Sequence, residues 1–221
     1  MNVLLFGATG MVGDGVLNEC LADPRVTSVL AVVRSPLGVT HPKLRVRHRT
    51  DFFSYADMAS ELATINACFF CLGVSAVGMS EADYYRQTFD LTLAAARALA
   101  AAKPGATFCY VSGEGTDASE RGRSMWARVK GKTENALLAL PLNAYMFRPG
   151  YIQPRPGTRS KTRVYRVFYR IMGPLYPVLR RLAPRHLTTV ENLGRAMIEV
   201  ATVGYSKRVL ENPDINALAT R

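Results

Sequence analysis

The sequence predicts an α/β fold: a doubly wound parallel sheet followed by a small, mostly helical C-terminal lobe. Two observations predict the sheet. An apolar run from Val3 to Phe6 leads straight into the spaced glycines Gly7, Gly10 and Gly13. Short apolar runs then alternate with helix-length stretches as far as Gly150. That is the pattern of β-α-β units, whose ligand crevice opens at the C-terminal ends of the strands. A third observation predicts the lobe: from Tyr151 the chain becomes basic and irregular. The expected division is a nucleotide-binding core over residues 1–150 and a substrate lobe over 151–221, packed on the same domain. A length of 221 residues suits one domain with a sizeable core.

The first strand ends in a tight turn. Met11, Val12, Val16, Leu17 and Leu21 then recur on one helical face. Gly7 permits a positive φ. Gly10 lets the backbone approach a bulky anion, and Gly13 lets the helix lie against the strand. Thr9, Met11 and Val12 complete a loop at a helix N-terminus, whose unpaired N–H groups and partial positive charge suit a pyrophosphate. This is the dinucleotide fingerprint of a Rossmann-type sheet in its GxxGxxG spacing. The second strand, Ser28–Val33, runs into Arg34 and Ser35. In such a fold this position, about 20 residues past the glycines, faces the adenosine ribose. An acid there binds the 2′-hydroxyl of NAD, and a base binds the 2′-phosphate of NADP. Arg34, with Ser35 as a second donor, therefore predicts NADP (NADPH) in preference to NAD.

Leu44–His48 alternates apolar and charged residues, as a short edge strand does. Asp51 and Phe52 follow as adenine contacts. A short helix is expected from Tyr55 to Ala63. The fourth strand, from Ala67 through Cys71 and Leu72, ends at Gly73, where the chain can pass close to a cofactor. A long helix from Glu81 to Ala102 stops at Pro104-Gly105. The fifth strand, Ala106–Val111, leads to Ser112-Gly113-Glu114-Gly115. A helix from about Ser124 to Leu140 carries Trp126, Lys130 and Lys132. The sixth strand, Asn143–Phe147, ends in Arg148-Pro149-Gly150. Beyond it Arg163, Arg166 and Arg170 share a helical face, and a second short helix is expected from Leu175 to Leu182. Thr188 or Thr189 caps a helix to about Val203, and Arg208–Glu211 forms a last short strand.

No apolar run approaches the ~20 residues needed to cross a bilayer. The four cysteines, Cys20, Cys68, Cys71 and Cys109, fit a reducing compartment. Cys68 and Cys71 lie three apart on a strand and point to opposite faces, so buried thiols are expected. No metal site is expected, because the three histidines, His41, His48 and His186, are scattered. The first strand begins at the N-terminus without a basic leader, and a cytoplasmic location is expected, with peripheral association at a membrane surface as an option. Of the net charge of +11, the window from Asn135 to Val190 carries +10, with ten basic residues and no acid. A field of one sign suggests an anionic membrane surface or an acidic partner for residues 148–185. No reader motif points to nucleic acid, and an oligomer is a further option.

Taken together, Gly7-Ala8-Thr9-Gly10-Met11-Val12-Gly13, Arg34, Cys71-Leu72-Gly73, Val111-Ser112-Gly113, Val129 to Glu134 and Phe147-Arg148-Pro149-Gly150 resemble the atypical branch of the short-chain dehydrogenase/reductase superfamily. The resemblance is to its small single-domain, NAD(P)-binding epimerase-like and Tat-interacting-oxidoreductase-like members, and covers nearly the whole chain. It implies a Tyr-x-x-x-Lys pair working with a serine. Lys130 matches the lysine that holds the nicotinamide ribose, and Ser112 matches the serine region, with Gly113 beside it. The tyrosine position is Trp126, whose indole donates a hydrogen bond but does not titrate usefully. Tyr151, Tyr110 or a cofactor-held water then remain as proton sources. Two functions are expected from this: an NADP(H)-dependent oxidoreductase acting on a small carbonyl or hydroxyl substrate, or a regulatory protein that senses NADPH with little catalysis.

Overall fold

The computed structural model describes residues 1–155 and 184–221. Its main sheet has seven strands: β1 (Asn2–Phe6), β2 (Ser28–Val33), β3 (Leu44–His48), β4 (Ala67–Phe70), β5 (Thr107–Val111), β6 (Asn143–Arg148) and β9 (Val209–Glu211). They stand in the order β3-β2-β1-β4-β5-β6-β9. Every neighbouring pair is parallel. The order reverses direction between β1 and β4, which opens a crevice above their C-terminal ends.

Side-chain alternation builds a core on each face of the sheet. Val3, Leu5, Val29, Ala31, Phe69 and Phe147 face one side, where α1 (Met11–Ala22) and α6 (Val190–Val203) cover them. Leu4, Phe6, Leu30, Phe70, Phe108 and Met146 face the other. Here the cover is α2 (Ala59–Leu62), α4 (Leu91–Ala102) and α5 (Met125–Leu138). Phe70 stacks on Phe108 with ring centroids 5.8 Å apart and lies 5.1 Å from Phe6. The packing is continuous across residue 150, because α6 lies against α1 and β9 pairs with β6.

Five elements differ from the sequence expectation. β4 stops at Phe70, because Cys71 and Leu72 leave the ladder to pass over Gly7. The long helix is α3 (Glu81–Tyr85) joined to α4 through a π-helical turn, Arg86–Asp90. A short parallel pair, β7 (Tyr151–Gln153) with β8 (Leu187–Thr189), and a final helix, α7 (Asn212–Leu218), were not foreseen. α7 opens with a capping box between Glu211 and Asp214 and has a proline in its first turn. Thr189 caps α6 as expected, its hydroxyl accepting from the Asn192 N–H at 3.1 Å. The helices expected over 163–172 and 175–182 lie outside the described residues. So does most of the basic window, of which Arg148, Arg155 and Arg185 are described.

Candidate functional site

At the crevice the first two turns of sequence do different jobs. Gly7 has φ +83°, and a Cβ there would sit 2.7 Å from the Cys71 carbonyl carbon. A Cβ on Gly13 would overlap the Gly7 carbonyl oxygen. Both glycines therefore serve close backbone packing, which seats the start of α1 directly above β1. Gly10 is different. Its Cβ position meets only the Gly7 oxygen, at 3.3 Å, and otherwise faces open space. The Gly10 N–H donates to that same oxygen at 2.8 Å. In front of it stand the first-turn N–H groups of α1, including those of Met11 and Val12, which have no partner within the helix.

The cleft beside this loop gathers Gly7, Thr9, Arg34, Ser35, Phe52, Leu72 and Gly73, all singled out from the sequence. Ala8, Val74, Gln87 and Leu91 also line it. Gln87 sits on the π-helical turn, and an irregularity of that kind leaves no trace in the apolar period. Two of the nearby arginines are already engaged. Arg49 holds Asp57 at 2.7 Å and lies 5.3 Å over the Tyr55 ring, and Arg47 reaches Asp57 at 3.0 Å. Arg34 is exposed and takes part in none of the ion pairs found among the described residues. Asp51 lies in an adjoining hollow with Arg34. Its carboxylate accepts the Phe53 N–H at 2.7 Å, closing a turn that tucks Phe52 against Phe6, 6.4 Å away.

The remaining candidates lie at the ends of β5 and β6 and do not line that cleft. Here the polar groups are bound to one another. The Ser112 hydroxyl is buried and donates to Glu134 Oε1 at 2.5 Å. Glu134, 1% exposed, is clamped by Arg148 through Nε at 3.0 Å and Nη2 at 2.5 Å. Arg148 also approaches Glu211 at 3.6 Å. The Lys130 ammonium donates to the Ser112 carbonyl. Burial pushes its pKa down to about 8, against an opposing pull from Glu134. Pro149 is buried, and its carbonyl accepts the Glu114 N–H at 2.9 Å. A Cβ on Gly150 would overlap the Glu114 carboxylate.

Trp126 stands one turn before Lys130 on α5 and lays its ring edge 3.4 Å from the Cβ position of Gly115. The Tyr151 hydroxyl donates to Gln153 Oε1 at 2.8 Å. Tyr110 is 1% exposed, and burial raises its pKa. Burial likewise pushes the Cys71 thiol up to about 12, and among the described residues no group of side chains could hold a metal. Sequence reasoning missed two participants in this region, Glu114 and His186, which form a pair at 2.5 Å across 72 residues of chain. No local pattern signals a contact so distant.

No protein-family model matches the chain. Protein fmp52-1, mitochondrial, of Aspergillus terreus is 30% identical to it over 172 residues, 73% of this chain and 70% of that protein. The chain belongs to the fmp52 family. Among solved structures, this fmp52-family chain is similar to the Bordetella bronchiseptica enzyme WbmF in complex with NAD+. The TM-score is 0.69 at 17% identity, over 99% of this chain and 76% of that one. A short chain dehydrogenase from Burkholderia cenocepacia in complex with NADP gives a TM-score of 0.65 at 15% identity, over 95% and 86%. These neighbours share the parallel Rossmann sheet of this chain.

The names of the relatives correct one expectation. Four fmp52 proteins are each named mitochondrial, which points to a mitochondrial rather than a cytoplasmic setting. The physical reason for the miss is that reduced, buried thiols suit either compartment.

Proposed function

We propose that the chain is an NADP(H)-binding oxidoreductase-like protein that acts on a small carbonyl or hydroxyl substrate. The observation that carries this reading is the exposed Arg34 guanidinium, in no ion pair among the described residues, beside a glycine-lined cleft at a helix N-terminus. The N–H groups of the α1 first turn suit the pyrophosphate, with Gly10 leaving room for it. Arg34 and Ser35 suit the 2′-phosphate, and Phe52 with Asp51 borders the adenine. Lys130 is assigned to the nicotinamide ribose, close to Arg148-Pro149-Gly150. Bound in this way, the nicotinamide supplies or accepts hydride. The part of the chain after Gly150 is assigned to the substrate.

A second reading is an NADPH-sensing protein with little catalysis. It is favoured by Trp126 at the tyrosine position and by a Ser112 hydroxyl already taken by Glu134.

Calorimetric titration with NADPH and NADH tests the cofactor reading. A charge-assisted contact is worth about 1.5–3 kcal/mol. Arg34→Ala should therefore weaken NADPH binding roughly 10- to 100-fold and leave NADH unchanged. Equal losses for both cofactors remove the 2′-phosphate assignment. Turnover of an aldehyde and ketone panel with bound NADPH then separates the enzyme from the sensor.

A further inference from the structure

The side chains that the sequence offers as proton donors are engaged elsewhere or sealed. Trp126 has no titrating proton, the Tyr151 hydroxyl is directed at Gln153, and Tyr110 is sealed in the sheet. Ser112 donates to Glu134. The Glu114–His186 pair has what these groups lack. Glu114 follows Gly113, whose Cβ position is 3.9 Å from the Lys130 ammonium. The loop that carries Glu114 therefore lies against the Lys130 ammonium of α5. Its geometry is built in: the Glu114 N–H is tied to Pro149, and the absence of a side chain at Gly150 makes room for the carboxylate. His186 Nδ1 meets Glu114 Oε1 at 2.5 Å. A carboxylate at Nδ1 keeps that nitrogen protonated and leaves Nε2 to exchange protons. The imidazole is 65% exposed, so water can recharge it. Among the described residues, Glu211 interacts with Glu114 and faces Arg148 at 3.6 Å, and the Lys130 ammonium lies beside Gly113.

We propose that His186, oriented by Glu114, is the general acid of this site, giving its Nε2 proton to the substrate oxygen. The inference rests on the oxidoreductase reading above. In the reducing direction, a carbonyl carbon receives hydride from the reduced nicotinamide and the π pair moves to oxygen. That oxygen takes the Nε2 proton as the N–H bond breaks and an O–H bond forms. The neutral ring keeps its proton on Nδ1 and regains one on Nε2 from water. The reverse direction uses the neutral ring as base. Glu114 is a positioning residue that acts through His186.

The first test needs no cofactor. With three histidines in the chain, nitrogen-15 NMR of the full-length protein can resolve the tautomer of each. His186 should hold its neutral proton on Nδ1 in the wild type and lose that preference in Glu114→Leu. An Nε2–H tautomer in the wild type overturns the dyad. The second test measures NADPH binding and carbonyl reduction together. His186→Gln should lower turnover by about 10²- to 10⁴-fold while the NADPH dissociation constant stays within twofold. Turnover unchanged in His186→Gln, or no wild-type turnover with NADPH bound, overturns the acid role and leaves the cofactor reading standing. Failure of the wild type to bind NADPH overturns the cofactor reading and the acid role with it, while the tautomer still reports on the pair.

Discussion

The two ends of the crevice treat their polar groups in opposite ways. At the β1–β2 end, the first-turn N–H groups of α1 and the Arg34 guanidinium have no partners among the described residues. At the β5–β6 end, Ser112, Glu134, Arg148 and Lys130 bind each other. A group without a partner is available to a ligand and contributes little to folding. A buried group with a partner stabilises the fold, and removing either member leaves the other uncompensated. Substitutions at the first end should therefore change binding, and substitutions at the second should change stability.

The largest expected contrast is between two glycines of one loop. Gly10→Val adds a side chain into the space before α1, where only the Gly7 oxygen lies within 4 Å. NADPH binding should become undetectable by calorimetry while circular dichroism and the melting temperature stay near wild type. Gly13→Val places its side chain into the Gly7 backbone, so it should unfold the chain outright. Undiminished binding by Gly10→Val would remove the glycine loop from the site and break the comparison at its first end.

At the second end, Glu134→Ala should cost about 3–5 kcal/mol in urea unfolding, because it leaves the half-buried Arg148 charge with only the longer contact to Glu211 and the buried Ser112 hydroxyl without its carboxylate acceptor. The affinity of the remaining folded molecules for NADPH should change little. A variant of normal stability that has lost NADPH would show that this network is a binding surface after all.

The unequal legibility of the two ends follows from the same difference. Backbone requirements leave marks in sequence: Gly7 and Gly13 had to be glycine for close packing, and Arg34 stands directly after a strand. The sheet was legible for a related reason, since strands such as Val3–Phe6 and Val29–Val33 are buried on both faces and read as unbroken apolar runs. Side-chain partnerships leave no such mark. Ser112 reads as a serine near the chemistry, and only three dimensions show its proton committed to Glu134, 22 residues on. The Glu114–His186 pair and the β7–β8 ladder join residues on either side of the basic stretch, beyond the reach of any window. The cytoplasmic expectation failed because neither backbone nor burial differs between reducing compartments.

Lys130 offers the finest test, because it belongs to both ends of the comparison: its helix is part of the fold, and its ammonium is assigned to the cofactor. Burial lowers its pKa to about 8 from an ordinary 10.5. The native state then disfavours the charged form relative to the unfolded chain. Below about pH 8 the lysine is charged in both states and the penalty is fully present. Between about pH 8 and 10.5 the unfolded chain holds the proton that the native state has released, so stability rises with pH. Above that range the ammonium is neutral in both states and the penalty is gone. At 1.36 kcal/mol per pKa unit, less the lost bond to the Ser112 carbonyl, Lys130→Met should stabilise the chain by roughly 1–3 kcal/mol at pH 7. That gain should vanish by pH 10.5, while NADPH binding weakens at pH 7. Urea midpoints of wild type and variant between pH 6.5 and 10.5 measure it directly. Parallel curves would mean that the ammonium reaches water, and Lys130 would then belong with Arg34 among the groups held open for a ligand.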